Sequence, residues 1–252
     1  MRSGGTRAKI DALLQRCFSH DCDALVLPEF RDNASGERIR EILLDNGYVH
    51  QAAYPHKGNG VLLAARRAFR PTPNPFGLDE NEYPQAVLQG DFEDGLRLFG
   101  VYLPGQDRKR PHLRCLIAAA EHCNEAGIDA MCIGDLNSGR NETDIEANVG
   151  RARLRDSFST ADLYAELERH WTEAWLYRHP GKIEFSWYPF RLEEQTPRRN
   201  GWRIDKAFVS RSLLPRLISA EYDHGFRTEL LTDHSGLIVT LSPRRGNDSV
   251  PA

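Results

Sequence analysis

The sequence predicts a layered α/β domain, and three observations carry that prediction. Through the first half of the chain, short apolar runs of strand length alternate with stretches whose apolar residues recur at helical spacing. The 252 residues are 40% hydrophobic and 27% charged, enough to bury one substantial core. No Pro/Gly/Ser-rich linker, low-complexity run or internal repeat divides the middle. Residues 1–252 therefore read as a single domain with loose ends at 1–7 and 243–252.

Taken in order, Ala8 to Phe18 places Ile10, Leu13, Leu14 and Phe18 on one stripe, the mark of an amphipathic helix. Asp23 to Leu27 reads as a buried strand closed by Pro28 and Glu29, because proline cannot continue a central hydrogen-bond ladder. Glu29 then stands at the strand mouth, as a metal ligand or as a solvated rim charge. A second helix, Ser35 to Asn46, stops at Gly47, and Gly60 to Ala65 forms a second buried strand. The proline-rich stretch Arg70 to Pro84 reads as a surface loop. Gln85 to Gln89 and Leu96 to Tyr102 are strands turned by Glu93, Asp94 and Gly95. Tyr102 lies near a strand end, where a phenol either bonds a phosphate or caps the core.

Leu113 to Ala126 is a helix feeding the apolar run Ala130 to Ile133, which stops at Gly134. Asp135 and Asn137 follow with one apolar residue between them. That spacing in extended chain turns a carboxylate and an amide to the same side, at a strand end where α/β proteins place chemistry. The same residue types also make an ordinary turn. Further on, Asp162 to Arg169 is helical, and Phe185 to Arg191 carries four aromatic residues in six positions. Such a strand needs a core on one face and a ligand or solvent on the other. Arg198 to Ser210 combines a basic turn with a strand carrying Ile204, Ala207, Phe208 and Val209, and Asp205 falls inside it. An acid there requires a hydrogen-bond partner or a metal. Asp233 and His234 stand together before the last strand, as a site or as a turn holding a histidine.

The net charge of −3 offers no bulk attraction to a polyanion. A nucleic-acid partner needs local basic patches, and the candidates are Arg108-Lys109-Arg110, Arg151/Arg153/Arg155 and Arg198-Arg199 with Arg203. The five cysteines, Cys17, Cys22, Cys115, Cys123 and Cys132, form no CxxC pair, which argues against a disulfide framework and a zinc ribbon. No signal-peptide core and no membrane-spanning run is visible, so a soluble, cytoplasmic, monomeric protein is expected.

Glu29, Asp135, Asn137, Asp205, Asp233, His234 and Tyr102 all fall at or near predicted strand ends. Should those ends converge, four carboxylates, an imidazole, an amide and a phenol share one rim. So much negative charge calls for a cation, and an oxygen-rich site without cysteine suits Mg2+ or Mn2+ rather than zinc. This is chemistry for a phosphate ester: a divalent ion neutralises a non-bridging oxygen, a carboxylate activates water, and a histidine donates to developing negative charge.

Six motifs in order, LPE, GVYLP, GDLN, FSW, NGWRIDKAFVS and TDH, resemble the endonuclease/exonuclease/phosphatase superfamily, specifically its exonuclease III-like apurinic-endonuclease branch, from about residue 8 to 241. The resemblance implies a four-layer α/β sandwich, two mixed sheets packed face to face with helices outside. It also implies roles. Glu29 resembles the family's metal-binding glutamate, with Asp233 a further ligand and Asp135, Asn137 and His234 completing the metal and phosphate network. Tyr102 contacts phosphate, Asp135 activates water, Asn137 helps hold water and phosphate, and Asp205 orients His234, the phosphate donor. Trp187, Trp202 and Ile204 would line a pocket for an extruded sugar, with Arg203 beside them. The competing reading puts both tryptophans in the core.

One departure stands out. Family members open with a central strand ending in a Trp-Asn-like motif, and this sequence starts inside the loop that follows it, so a first strand and its asparagine are expected to be missing. Asn33 and Asn59 lie in loops, and nothing in their spacing recommends either as a replacement. Three activities are expected in competition. The first is a Mg2+-dependent nuclease on duplex DNA, cutting at abasic sites or from 3′ ends. The second is a phosphoesterase acting on RNA or a small phosphorylated molecule, and the third a truncated, catalytically impaired nucleic-acid-binding protein.

Overall fold

A computed structural model describes residues 7–146, 158–189 and 201–244. The chain runs α1 (Arg7–Ser19), β1 (Ala24–Phe30), α2 (Ala34–Asp45), β2 (His50–Ala53), β3 (Gly60–Ala65), β4 (Phe69–Pro73), β5 (Val87–Phe92), β6 (Arg97–Tyr102), α3 (Arg110–Glu125) and β7 (Ala130–Asp135). It continues through α4 (Ala161–His170), β8 (Thr172–Glu173), α5 (Ala174–Arg178), β9 (Asp205–Val209), β10 (Leu217–Asp223), α6 (Gly225–Thr228) and β11 (Gly236–Leu241). All five cysteines are free thiols.

Strands β4-β5-β6-β7-β9-β8 form a six-stranded sheet in which β6 and β7 are parallel and every other pair antiparallel. The facing layer is in two pieces, β1-β3-β2 and β10-β11. Within it, β1 packs over β6 and β7, and β11 over β9. No described strand pairs with the second edge of β1 or of β11.

Three hydrophobic cores make this a four-layer sandwich. Helices α1 and α2 bury Leu13, Leu14, Ile39 and Leu43 against Leu25, Leu27 and Leu62 on the outer face of the split layer. Between the sheets lie Val61, Leu63, Leu98, Met131, Ala207 and Val209. Helices α3 and α4 cover the far face of the six-stranded sheet with Leu113, Leu116, Leu163 and Leu167 against Phe99, Cys132 and Phe208. Leu62 and Leu63, adjacent in β3 and both fully buried, point into different cores, as strand alternation requires. Each contributes about 2 kcal/mol by leaving water.

The helix and strand expectations hold for the long periodic segments, and the corrections cluster where chain ends or edges decide. Strand β1 runs past Pro28 to Phe30, because Pro28 pairs with Val61 on one side while its other edge needs no donor. The stretch expected as a loop from Arg70 contains β4, an edge strand beside β5 that tolerates Pro71 and Pro73 for the same reason. Phe185 to Pro189 is not a strand. Trp187 makes only isolated bridges to Trp202 and His234, and Phe190 and Arg191 lie outside the described residues. Asp205 opens β9 instead of interrupting it. Strands β2 and β10, with α6, were not foreseen: β2 is short and β10 alternates too weakly to read.

Candidate active site

Strand register brings three of the expected residues into one row. Tyr102 is the partner of Asp135 across the parallel β6/β7 pair, and Asp135 is the partner of Asp205 across the antiparallel β7/β9 pair. A phenol and two carboxylates thus stand side by side on neighbouring strands. The approach is close: a Cβ on Gly134 would lie 2.1 Å from the Val101 carbonyl oxygen, and its φ of +142° suits only glycine. Gly134 is what lets β7 deliver Asp135 next to Tyr102.

The strand-end turn after β7 locks the amide to the acid. Asn137, at φ +48°, donates its backbone N–H to Asp135 Oδ1 at 2.8 Å and its side-chain Nδ2 to Asp135 Oδ2 at 3.0 Å. The same Nδ2 donates to Leu103 O at 2.8 Å. The segment is thus the turn that its residue types allow, and it holds the carboxylate and the amide together at the strand end. Burial pushes the Asp135 carboxyl up from the usual carboxylate range, and the negative charges of Asp205 and Glu29 push the same way while His234 opposes them.

Glu29 reaches this row from the facing layer. A register shift between Pro28 and Phe30 puts Glu29 at a bulge with φ +59°, swinging its side chain off the ladder toward Tyr102. The Tyr102 hydroxyl donates to Glu29 Oε1 at 3.2 Å, and Asn59 Nδ2 donates to that hydroxyl at 3.3 Å. Burial, joined by the Glu29 and Asp135 charges, pushes the phenol up to about 12, so it remains a donor at neutral pH. Arg31 in turn donates to Asn59 Oδ1. Asn59 was passed over in the sequence because no periodicity marks a loop residue, yet it stands in the site; Asn33 instead caps the N-terminus of α2.

On the other flank, His234 Nδ1 donates to Asp205 Oδ2 at 2.9 Å. Burial would push the imidazole down, but the Asp205 charge and hydrogen bond, with Asp135 and Asp233 beyond, carry it up to about 9. His234 is thus an imidazolium at neutral pH, with Nε2–H as its second donor. Asp205 is itself held in place. Ser186 Oγ accepts from the N–H groups of Ile204 and Asp205, both at 3.1 Å, and the Tyr222 hydroxyl donates to Asp205 O. Ser186 and Tyr222 carried no signal in the sequence beyond their place in FSW and in an unread strand.

Asp233 Oδ2 accepts from Trp187 Nε1 at 3.0 Å. Trp187 meets Trp202 edge-on, 6.0 Å between centroids, and Trp202 meets Phe158 edge-on at 5.1 Å. Both tryptophans are partly exposed and neither belongs to a hydrophobic core, and the Trp187 ring lies 6.5 Å from that of His234. Ile204 is buried behind them.

Arg203, expected beside the substrate, points the other way. It is 1% exposed; Nε and Nη2 donate to Asp144 Oδ1 and Nη1 to Glu173 Oε2. Lys206 Nζ, fully buried, donates to Asp144 Oδ2 at 2.8 Å. Two cations and two anions balance inside the fold, and the network ties the 137–146 segment to the start of β9. The guanidinium is thereby committed inside the fold, closed off from solvent and from any phosphate at the surface. Of the remaining basic candidates, Arg151, Arg153, Arg155, Arg198 and Arg199 lie outside the described residues.

The donor set suits a hard cation in one respect and not in another. Asp135 is short of positive charge, and the oxygen donors Glu29, Asp135 and Asn137 share a basin. Among the described residues, however, no three His, Cys, Asp or Glu side chains are grouped closely enough to hold an ion by themselves. That combination fits an ion such as magnesium, which takes one or two carboxylates and completes its shell with water and substrate phosphate.

No curated protein matches the sequence. Among solved structures, the fold is similar to an AP endonuclease from Archaeoglobus fulgidus, at 18% identity and a TM-score of 0.75, covering 94% of this chain and 95% of that one. It is equally similar to the 3′ phosphatase NExo from Neisseria bound to a product DNA hairpin, at 18% identity, TM-score 0.75 and the same coverage. The 3′-5′ exonuclease NExo from Neisseria meningitidis follows at 20% identity and TM-score 0.73, covering 93% of this chain and 95% of that one. The profile of the Endonuclease/Exonuclease/phosphatase family matches residues 1–234, and the chain belongs to that family.

Proposed function

We propose that this chain is a divalent-metal-dependent phosphodiesterase that hydrolyses duplex DNA in the manner of exonuclease III, at abasic sites or from 3′ ends. The observation that carries the reading is the row Tyr102, Asp135, Asp205, with Glu29 joined to one end and His234 to the other. Asp135, held by Asn137 and raised by burial and by its acidic neighbours, is placed to take a proton from attacking water. His234, kept as an imidazolium by Asp205, donates Nε2–H to a phosphate oxygen as negative charge develops. Tyr102, whose hydroxyl donates to Glu29 in the free protein, would supply a second donor, a neutral one. Glu29 and Asp135 would hold a Mg2+ or Mn2+ ion, with the Asn137 amide beside them; Asp233 is occupied on one oxygen by Trp187 and would act from further out. When bound, the ion neutralises non-bridging phosphate oxygens. The Trp187 and Trp202 pair favours a substrate with an extruded sugar, and fold likeness to an AP endonuclease and to a 3′-5′ exonuclease points to the same class.

The test is incubation of the protein with abasic duplex DNA and with a recessed 3′ end, in magnesium, with and without a chelator. Chelator-sensitive nicking or trimming is expected. Absence of both, with phosphate release from RNA or a small phosphoester instead, would replace this reading by the second, which the net charge of −3 and the inward turn of Arg203 favour.

A further inference from the structure

Lys109 closes the one-turn 3-10 segment Gln106–Lys109 and immediately precedes α3. The chain leading into that turn is fastened to the site: Leu103 N donates to Asp135 O at 2.8 Å, and Asn137 Nδ2 donates to Leu103 O at 2.8 Å. The flanking arginines are answered at the surface. Arg108 Nη1 donates to the Tyr83 hydroxyl, and Arg110 pairs with Asp107 and Asp162. Lys109 turns inward and is 2% exposed.

Among the described residues its ammonium has neither a hydrogen bond nor an ion pair. The charges that act on it are Asp135, then Asp107, against Arg108 and Arg110. Burial pushes the amine down to about 8 in spite of the two carboxylates. The contrast with Lys206 is instructive, since that equally buried lysine is met by Asp144 at 2.8 Å. A cation this far withdrawn from solvent and left without a partner among the described residues is costly. The cost is explained if the partner arrives with the substrate. Because the chain entering this turn is bonded to Asp135, and the Asp135 charge is the first among the carboxylates acting on Lys109, that partner is the anion attacked there.

We propose that the Lys109 ammonium binds a non-bridging oxygen of the substrate phosphate at the Asp135 site. The proposal rests on the phosphodiesterase reading above. It adds a cation that the motifs do not contain, in place of Arg203, which the fold buries.

The experiment compares the wild type with Lys109→Gln and Lys109→Arg in three assays. Without metal, thermal melting with and without inorganic phosphate reads anion binding directly. Phosphate is expected to raise the melting temperature of the wild type and of Lys109→Arg but not of Lys109→Gln. With a chelator present, anisotropy of a labelled abasic duplex across salt concentrations should show the log-log salt slope falling by about 0.9 in Lys109→Gln, the value for one lost phosphate contact. With magnesium, Lys109→Gln should lose at least about tenfold in kcat/KM, partly restored in Lys109→Arg, while its ligand-free melting temperature stays level or rises. Unchanged phosphate response and salt slope in Lys109→Gln overturn the proposal, as does a fall in its ligand-free melting temperature with no other effect. If the phosphate response separates the variants but no protein cuts DNA, the proposal stands and the DNA reading falls. If the wild type cuts abasic DNA while neither binding assay separates the variants, the reverse holds.

Discussion

Replacing Asp205 by asparagine tests the electrostatic logic of the site. Asp205 accepts from His234 Nδ1 through both oxygens, at 2.9 and 3.1 Å, and its charge is the main force holding the imidazole at about 9 against burial. The gap from the ordinary value of 6.5 is worth about 3 kcal/mol, at about 1.4 kcal/mol per pH unit. The folded value lies above the unfolded one. The stabilisation is therefore complete below pH 6.5, falls to about 2 kcal/mol near pH 7.5, and is lost as the pH rises through about 9. Asparagine keeps the volume and an acceptor oxygen but removes the charge, so burial then dominates and His234 titrates below 6.5. Urea unfolding of wild type and Asp205→Asn at about pH 6, 7.5 and 9.5 should give a destabilisation near 3 kcal/mol at the lowest pH, shrinking to under about 1 at the highest. Turnover should fall about a hundredfold or more at neutral pH, because a neutral imidazole with the wrong nitrogen protonated cannot donate through Nε2. A destabilisation of equal size at all three pH values would refute the assignment of His234 as an imidazolium held by Asp205.

Three further outcomes follow from the same geometry. Asp135→Asn should abolish turnover yet raise the melting temperature at neutral pH by several degrees. The carboxyl is pushed up in the fold, so its charged form costs stability that is regained as pH falls; a lower melting temperature in chelator would contradict this. Trp202→Ala should weaken cutting at abasic sites more than trimming of 3′ ends, whereas equal losses in the two assays would return Trp202 to a purely structural role. Arg203→Leu should cost about 3–5 kcal/mol in urea unfolding, by stranding Asp144 and Glu173, and leave the salt slope of DNA binding unchanged; a shallower slope would mean that Arg203 touches phosphate after all.

The site was readable where its residues come in motifs and unreadable where they come from packing. Asp135 and Asn137 announce themselves by spacing at the end of an apolar run, and His234 by standing beside an acid before the last strand. Asn59 and Ser186 have no such mark, an asparagine in a loop and a serine between aromatics being common in any surface segment, and the basic triplet around Lys109 does not tell which of its three cations turns inward. Arg203 illustrates the opposite error. In the sequence it belongs to a basic turn, but in the fold Asp144 and Glu173 turn it inward.

Apolar periodicity is local, and it decided on its own that this chain would be layered α/β, with β3 spanning Gly60–Ala65 and helices feeding strands. The order of its motifs decided the family. Only tertiary structure could decide that Tyr102, Asp135 and Asp205 stand in one row, since that depends on the register of strands brought together from distant parts of the chain. It also decided which buried cation meets a carboxylate among the described residues and which does not. Lys206 and Lys109 are the same residue type, and the distinction lies in whether another segment places a carboxylate within reach.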